Sequence, residues 1–225
     1  MRSWDQTLHN FGKQVRGFCA QAAGKANQGL RLERNRAVKS TNIILTGLGG
    51  QGILFMTRIL AQTALDNRFN VIGAETHGMA QRGGSVVSHL RLGEAQGSLV
   101  QNGTADLLLA LDEHEGYRNL SFLSRKGRLF VNTKANHFPL EEVKVFLDKR
   151  EITYRAIAAG PIARDLGAPR SSNLALLGFF SAFSENPFTF GEMLQTIETI
   201  SPDRFKEINC KVFKAGYEEA EHSRY

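Results

Sequence analysis

The chain is predicted to be an α/β protein in which a mostly parallel sheet is sandwiched by helices, with a helical extension in front and a helical final third. Three features predict this. Short apolar segments alternate with longer segments in which apolar residues recur every three or four positions, the pattern of strands joined by crossover helices. A glycine-rich turn joins the first strand to the first helix. Beyond residue 170 the strand-like segments stop and amphipathic stretches take over.

The elements follow in order. In residues 1–40, Trp4, Leu8, Phe11, Val15, Phe18 and Ala22 fall on one helical face until Gly24 and Gly29 interrupt it. Residues 42–46 read as a buried strand, 47–52 as a glycine loop, and 51–66 as a helix with Ile53, Met56, Ile59, Leu60 and Ala64 on one side. Residues 70–74 form a second strand, 76–84 a polar loop, and 85–92 a third strand whose side chains alternate between two faces. The leucine-rich 106–111 is short and ends at Asp112, which favours a buried parallel strand. A helix over 113–125, a strand at 128–132, a helix over 139–150 opened by Pro139 and a strand at 153–158 come next. Helices over 171–184, 189–199 and 203–221 complete the chain, the last after Pro202.

A length of 225 residues suits one sizeable domain with an appendage, here residues 1–40 and 41–225. The apolar and charged fractions, 42% and 22%, are those of a globular protein. Residues 1–40 carry eight basic side chains against two acidic ones. That surplus equals the +6 of the whole chain, so residues 41–225 are neutral. A basic arm can bind nucleic acid, an acidic membrane surface or an acidic partner chain. The neutral body lacks interleaved aromatic and basic patches, which argues against nucleic acid. A docking arm and a solvated, partly helical tail both stay open.

The longest leucine run is far too short to span a bilayer, and the N-terminus lacks the apolar core of a secretory signal. A cytoplasmic protein without membrane association is expected. Cys19 and Cys210 are too few for a four-thiolate iron–sulfur or zinc site and belong to no C-x-x-C pair. Two free thiols in a reducing compartment are expected.

Gly47-Leu48-Gly49-Gly50-Gln51-Gly52 has the G-x-G-x-x-G spacing, directly after a strand and opening a helix. Gly47 permits a tight turn, Gly49 a close approach of phosphate or backbone, and Gly52 close helix–strand packing. Two readings follow. The loop binds NAD or FAD, with Glu75 at the end of the second strand on the ribose. Alternatively, its glycines let backbone pack on backbone.

Residues 76–91 concentrate donors at His77, Gln81, Arg82 and Ser85 with glycines at Gly78, Gly83 and Gly84, which allow close approach of a ligand or a partner; the other reading is a surface turn feeding the third strand. An ordinary hydride-transfer dehydrogenase has no such segment after its second strand. The glycine loop together with the run Glu75-Thr76-His77-Gly78-Met79-Ala80-Gln81-Arg82-Gly83-Gly84-Ser85-Val86 resembles the gamma-type, Rossmann-like domain of pyruvate/ketoisovalerate 2-oxoacid oxidoreductases. The run is similar in particular to the beta subunits of indolepyruvate ferredoxin oxidoreductases. The resemblance covers residues 41 to about 218. It includes Asp112, Asn173-x-x-Leu-Leu-Gly178 and Asn209-x-x-x-Phe213-x-x-Gly216, while the first forty residues lie outside it.

The resemblance implies oxidative decarboxylation of a 2-oxoacid, indolepyruvate or another arylpyruvate, to an acyl-CoA, with electrons passing to ferredoxin or a similar acceptor. Such complexes use thiamine diphosphate, Mg, 4Fe–4S clusters and coenzyme A. The sequence has no thiamine-binding signature and too few cysteines for a cluster, so a large partner subunit is expected to carry the cofactors in a heterodimer paired into a heterotetramer. The resemblance makes Gly47, Gly49, Gly50, Gln51, Gly52, Glu75, Thr76, His77, Gly78, Gln81, Arg82, Gly83, Gly84 and Ser85 ligand or interface residues. Arg82, with its forked donors, suits a phosphate, a carboxylate or an inter-subunit carboxylate. His77 is the one candidate for a catalytic role, and it and His89 serve equally well as packing or interface residues. Asp112 and His114 close the fourth strand, where ligands of open α/β sheets gather, and Asp112 also suits a helix N-cap. The alternative function is that of an NAD-binding oxidoreductase acting alone.

Overall fold

A computed structural model describes residues 40–77, 83–134, 138–184 and 186–222. The predicted arm, apart from Ser40, lies outside them, as do Gly78, Gln81 and Arg82. The described strands are β1 (Thr41–Leu48), β2 (Val71–His77), β3 (Ser85–Leu92), β4 (Ala105–Ala110), β5 (Leu123–Asn132) and β6 (Thr153–Ile157). The helices are α1 (Ile53–Asp66), α2 (Glu113–Arg118), α3 (Glu141–Lys149), α4 (Ala159–Asp165), α5 (Ser172–Ser181), α6 (Phe190–Ile200) and α7 (Asp203–His222).

Side chains alternate across a strand, so each strand feeds two cores. Ile43, Leu45, Leu107, Leu109 and Phe130 join the larger core with residues of α1 and α4 to α7. Ile44, Leu108 and Leu129 join a smaller one with Val100, Leu120, Ile152 and Leu147 of α3. β1, β4 and β5 are therefore apolar on both faces, as buried parallel strands require.

The six strands are ordered β2-β3-β1-β4-β5-β6. β1, β4, β5 and β6 pair in parallel. β3 runs antiparallel to both β1 and β2. It is thus the reversed member of an otherwise parallel set, and it lies between β1 and β2 rather than outside them. The mostly parallel α/β sandwich was predicted; the interposed strand was not.

On the large core, α5 and α7 cross at two glycines. A Cβ on Gly178 would overlap the Phe213 carbonyl, and one on Gly216 would overlap the Ala175 carbonyl. The helices touch backbone to backbone, and α5 is buried nearly all round.

Several boundaries differ from expectation. The helix predicted over 113–125 ends at Arg118, because Asn119 turns its side chain inward and Leu123 already begins β5. Residues 76 and 77, predicted in a loop, continue β2, since the ladder with β3 runs on to the His77–Val86 pair. The first helix starts at Ile53 and the third at Glu141, after Gly52 and Leu140 as caps. Helix α4 was not predicted. Its Pro161 sits in the first turn, where a missing N–H breaks no helical bond.

Candidate functional site

The C-terminal end of β1 continues directly into the glycine loop. Because β3 is antiparallel to β1, its first residues stand beside this loop, with Leu48 opposite Ser85. The ladder then extends into the glycines. The Gly49 N–H donates to the Gly84 carbonyl at 2.8 Å, and the Gly83 N–H donates to the Gly49 carbonyl at 3.3 Å. In a dinucleotide fold the backbone at this position would face pyrophosphate; here it faces backbone.

Gln51 closes the turn on itself. Its Oε1 accepts from the Leu48 N–H at 2.7 Å, while its own N–H donates to the Leu48 carbonyl at 3.1 Å. A Cβ on Gly47 would lie 2.6 Å from that same Oε1 and 3.1 Å from Leu111 Cβ, so the strand end has room only for glycine. Gly52 has φ of 85° and a Cβ there would meet Asn173 Nδ2 at 2.5 Å. Buried Asn173, at the start of α5, donates to the Gly52 carbonyl at 3.2 Å. The loop is thereby pinned to the helical layer, a contact invisible in the G-x-G-x-x-G pattern.

Beneath the loop lies a polar floor. Thr46 Oγ1 donates to the Val86 carbonyl at 3.2 Å and accepts from Asn119 Nδ2 at 3.0 Å. Glu115 is 1% exposed. Its Oε2 accepts from Ser85 Oγ at 2.5 Å and its Oε1 from Arg118 Nη1 at 2.8 Å. Glu115 and Asn119 were not singled out in the sequence, because each lies in an unremarkable helical turn whose partners are dozens of residues away.

At the rim, Leu48, Gly49, Gly50, Gln51, Gly83 and exposed Arg170 line an open depression of about 560 Å³. Arg170, on the loop between α4 and α5, was also missed; an arginine in a turn carries no local signal. The structure thus gathers Gly49, Gly50, Gln51 and Gly83 at one depression, with Gly47, Gly52, Gly84 and Ser85 as the framework around it.

Glu75 is placed elsewhere. It pairs with Ser88 in β2, with the whole of β3 between it and β1. Two strand spacings, roughly 9–10 Å, separate β2 from β1, so Glu75 does not stand where a ribose acceptor beside the glycine loop should. Thr76 and His77 end the same strand, opposite Val87 and Val86.

Asp112 serves as the N-cap of α2, its Oδ1 accepting from the N–H groups of His114 and Glu115 at 3.0 and 3.2 Å. His114 is exposed beside it. His89 is 3% exposed: Nδ1 accepts from the Val100 N–H at 3.2 Å, and the ring stands edge-on to Phe122 with centroids 5.3 Å apart. Burial holds its pKa below the ordinary value. At the next strand end, the Tyr117 hydroxyl donates to Glu113 at 2.8 Å and accepts from the Leu140 N–H at 3.1 Å. Burial foremost raises its pKa to about 12, so it remains a hydroxyl donor across the neutral range. Cys210 is a buried free thiol whose pKa burial pushes up.

Fold and site together define an α/β domain with one reversed strand inserted beside its first, and a glycine loop engaged by its own chain. The chain belongs to the pyruvate ferredoxin/flavodoxin oxidoreductase family, whose sequence model matches residues 42–219. It is 33% identical to the indolepyruvate oxidoreductase subunit IorB of Archaeoglobus fulgidus, over 80% of this chain and 94% of that protein. In fold it is similar to the gamma subunit of a keto/oxoacid ferredoxin oxidoreductase from Geobacter sulfurreducens. The TM-score is 0.64 at 22% identity, over 81% of this chain and 99% of that one. It is also similar to part of the 2-oxoglutarate:ferredoxin oxidoreductase of Magnetococcus marinus, a structure with 2-oxoglutarate, coenzyme A and succinyl-CoA bound. There the TM-score is 0.65 at 17% identity, over 82% of this chain and 31% of that one. The chain is a small subunit of a 2-oxoacid oxidoreductase. A nicotinamide-dependent enzyme acting alone is favoured neither by these relatives nor by the position of Glu75.

Proposed function

We propose that this chain is the non-catalytic small subunit of an arylpyruvate oxidoreductase, indolepyruvate being the first substrate to test. One observation carries the division of labour. The Gly49 and Gly83 amides are engaged by backbone, so the loop forms a finished rim rather than an open pyrophosphate cradle. Such a rim suits capping by a second polypeptide. The indolepyruvate oxidoreductase relative supplies the substrate class.

In the proposed complex the large subunit holds thiamine diphosphate, Mg and the 4Fe–4S clusters. Cys19 and Cys210 are the chain's cysteines, and two thiolates do not make a four-thiolate site. Among the described residues no group of three or more His, Cys, Asp and Glu stands where it could hold a metal ion. Coenzyme A supplies the thiol that takes the acyl group. This chain's part toward it is at the rim, where the exposed Arg170 beside Gly49, Gly50 and Gly83 offers a cation for an anionic group. Arg82 is assigned a second anionic contact, and Gln81 and His77 are assigned its orientation. Glu75, Thr76, Gly78 and Ser85 are assigned to the ligand or partner boundary. Residues 1–40, with their surplus of positive charge and apolar stripe, are assigned to docking on the large subunit. The complex is a pair of heterodimers in the cytoplasm passing electrons to ferredoxin or a similar acceptor. No helix among the described residues is long and apolar enough to cross a membrane.

The test is reconstitution. The chain alone should turn over no 2-oxoacid and bind no NADH. Co-purified with its large subunit it should support indolepyruvate- and coenzyme A-dependent reduction of a viologen dye, and removal of residues 1–40 should weaken that co-purification. Turnover by the isolated chain would overturn the division of labour. Activity confined to a non-aromatic 2-oxoacid would overturn the substrate class.

A further inference from the structure

Glu115 is a buried carboxylate that the proposed chemistry does not use. A carboxylate withdrawn from water is costly unless its oxygens are bonded, and an apolar side chain would fill the same space without that cost. Both Glu115 oxygens are bonded, but to groups of different kinds. Oε1 meets Arg118, whose side chain is 71% exposed, three residues along the same helix. Oε2 meets Ser85 Oγ, thirty residues away, at the first residue of β3.

The helix that carries Glu115 is itself fixed. Its first turn is capped by Asp112, and Gly116 presses so closely on the sheet that a Cβ there would lie 3.1 Å from Ala110 Cβ and 3.2 Å from Val131 Cγ2. Asn119, at its far end, ties it to Thr46 of β1. Ser85 is the last ladder partner of β1, and the next backbone bonds are those of Gly84 and Gly83 to Gly49. The Ser85–Glu115 bond is therefore a side-chain anchor immediately below the rim.

We propose that Glu115 is a positioning residue which, through Ser85, sets the Gly49–Gly83–Gly84 rim of the glycine loop for its ligand. The proposal rests on the functional reading above for what the rim meets, but the geometry is tested separately. With the anchor cut, the side-chain bond nearest the rim is lost and β3 keeps those of Thr46 to the Val86 carbonyl and Thr57 to Ser88 further along, so the two rim amides should open more often.

The first arm is hydrogen exchange on the full chain, comparing wild type with E115A, S85A and E115Q. E115A and S85A should accelerate exchange of the Gly49 and Gly83 amides by about tenfold while the β4 amides of residues 107–110 keep their protection. E115Q retains an oxygen for the Ser85 hydroxyl and should restore most of the protection. The second arm is kinetics of the reconstituted complex. E115A should raise the KM for coenzyme A by about tenfold with kcat changed less than about twofold, and E115Q should recover it. Unchanged exchange at Gly49 and Gly83 would overturn the proposal. So would a uniform rise that includes β4, because that is the mark of a residue needed only for stability. A wild-type complex with no 2-oxoacid activity would remove the functional reading and leave the exchange arm to decide this one.

Discussion

The sheet has two unlike halves. From β1 through β4 and β5 to β6 every pairing is parallel, the next described element after each of these strands is a helix, and one core is sealed by the α5–α7 crossing. From β1 outward through β3 to β2 every pairing is antiparallel. The first half obeys the rule that strand ends of open α/β sheets form a crevice for ligands. The second half brings β3 to the mouth of that crevice and seats its leading backbone in the glycine loop. The same glycine spacing thus supports opposite uses, and the direction of the neighbouring strand decides between them.

The largest loss of stability is expected at the helical seal of the parallel half. Gly178→Ala or Gly216→Ala drives a methyl group into a carbonyl of the opposing helix, where neither backbone can yield cheaply. Each should cost about 3 kcal/mol or more, the upper end of overpacking penalties. Urea midpoints, or loss of folded chain on expression, would read it. A wild-type midpoint in either variant would mean that the helices do not touch there.

The glycine loop sharpens the contrast within itself. Gly50 and Gly52 both have positive φ, 97° and 85°, but a Cβ on Gly50 meets nothing within 4 Å whereas one on Gly52 strikes Asn173. Gly52→Ala should cost about 2–3 kcal/mol and Gly50→Ala about 1 kcal/mol, the backbone strain alone. Equal losses in chemical denaturation would show that Asn173 does not pin the loop. At the end of β4, Asp112→Ala removes the cap of α2 and should cost about 1 kcal/mol. If Asp112 instead binds a ligand, its loss would leave stability unchanged and alter only KM.

What the sequence disclosed follows the same division. The parallel strands were legible because burial on both faces writes a continuous apolar run, as in 107–111. The reversal of β3 was not. Its alternation of Val86, Ser88 and Leu90 with Val87, His89 and Arg91 shows a strand but neither its direction nor its neighbours, which depend on contacts dozens of residues away. Gly178 and Gly216 stood out by resemblance, yet only the crossing of their helices explains them. Helix α4 was hidden by Gly160 and Pro161, breakers in most contexts and tolerated in a first turn. In the candidate site, the loop residues were legible from spacing. Asn173 stood out by resemblance, in the motif that ends at Gly178, but its bond to the Gly52 carbonyl did not; Glu115 and Arg170 reach the site from other elements, and nothing local marked them.

The smallest expected effect separates the halves by pH. In the antiparallel half, His89 of β3 is buried opposite Ile44 of β1, its Nδ1 accepting the Val100 N–H. Burial disfavours the imidazolium, so the folded-state pKa lies below 6.5 while the unfolded chain keeps the ordinary value. Between those two values the unfolded state binds more protons, so stability falls as pH falls. The loss should begin as pH drops through about 6.5 and continue down to the folded-state pKa; above about 7 His89 should contribute no pH dependence. His89→Asn keeps an acceptor near the Val100 amide and cannot take up the proton. It should melt lower than wild type at about pH 8, and the gap should narrow at about pH 5.5 because only the wild type has lost stability to protonation of residue 89. A gap that stays constant across that range would place His89 in contact with water, and the hairpin side of the sheet would then have no buried titrating group at this position.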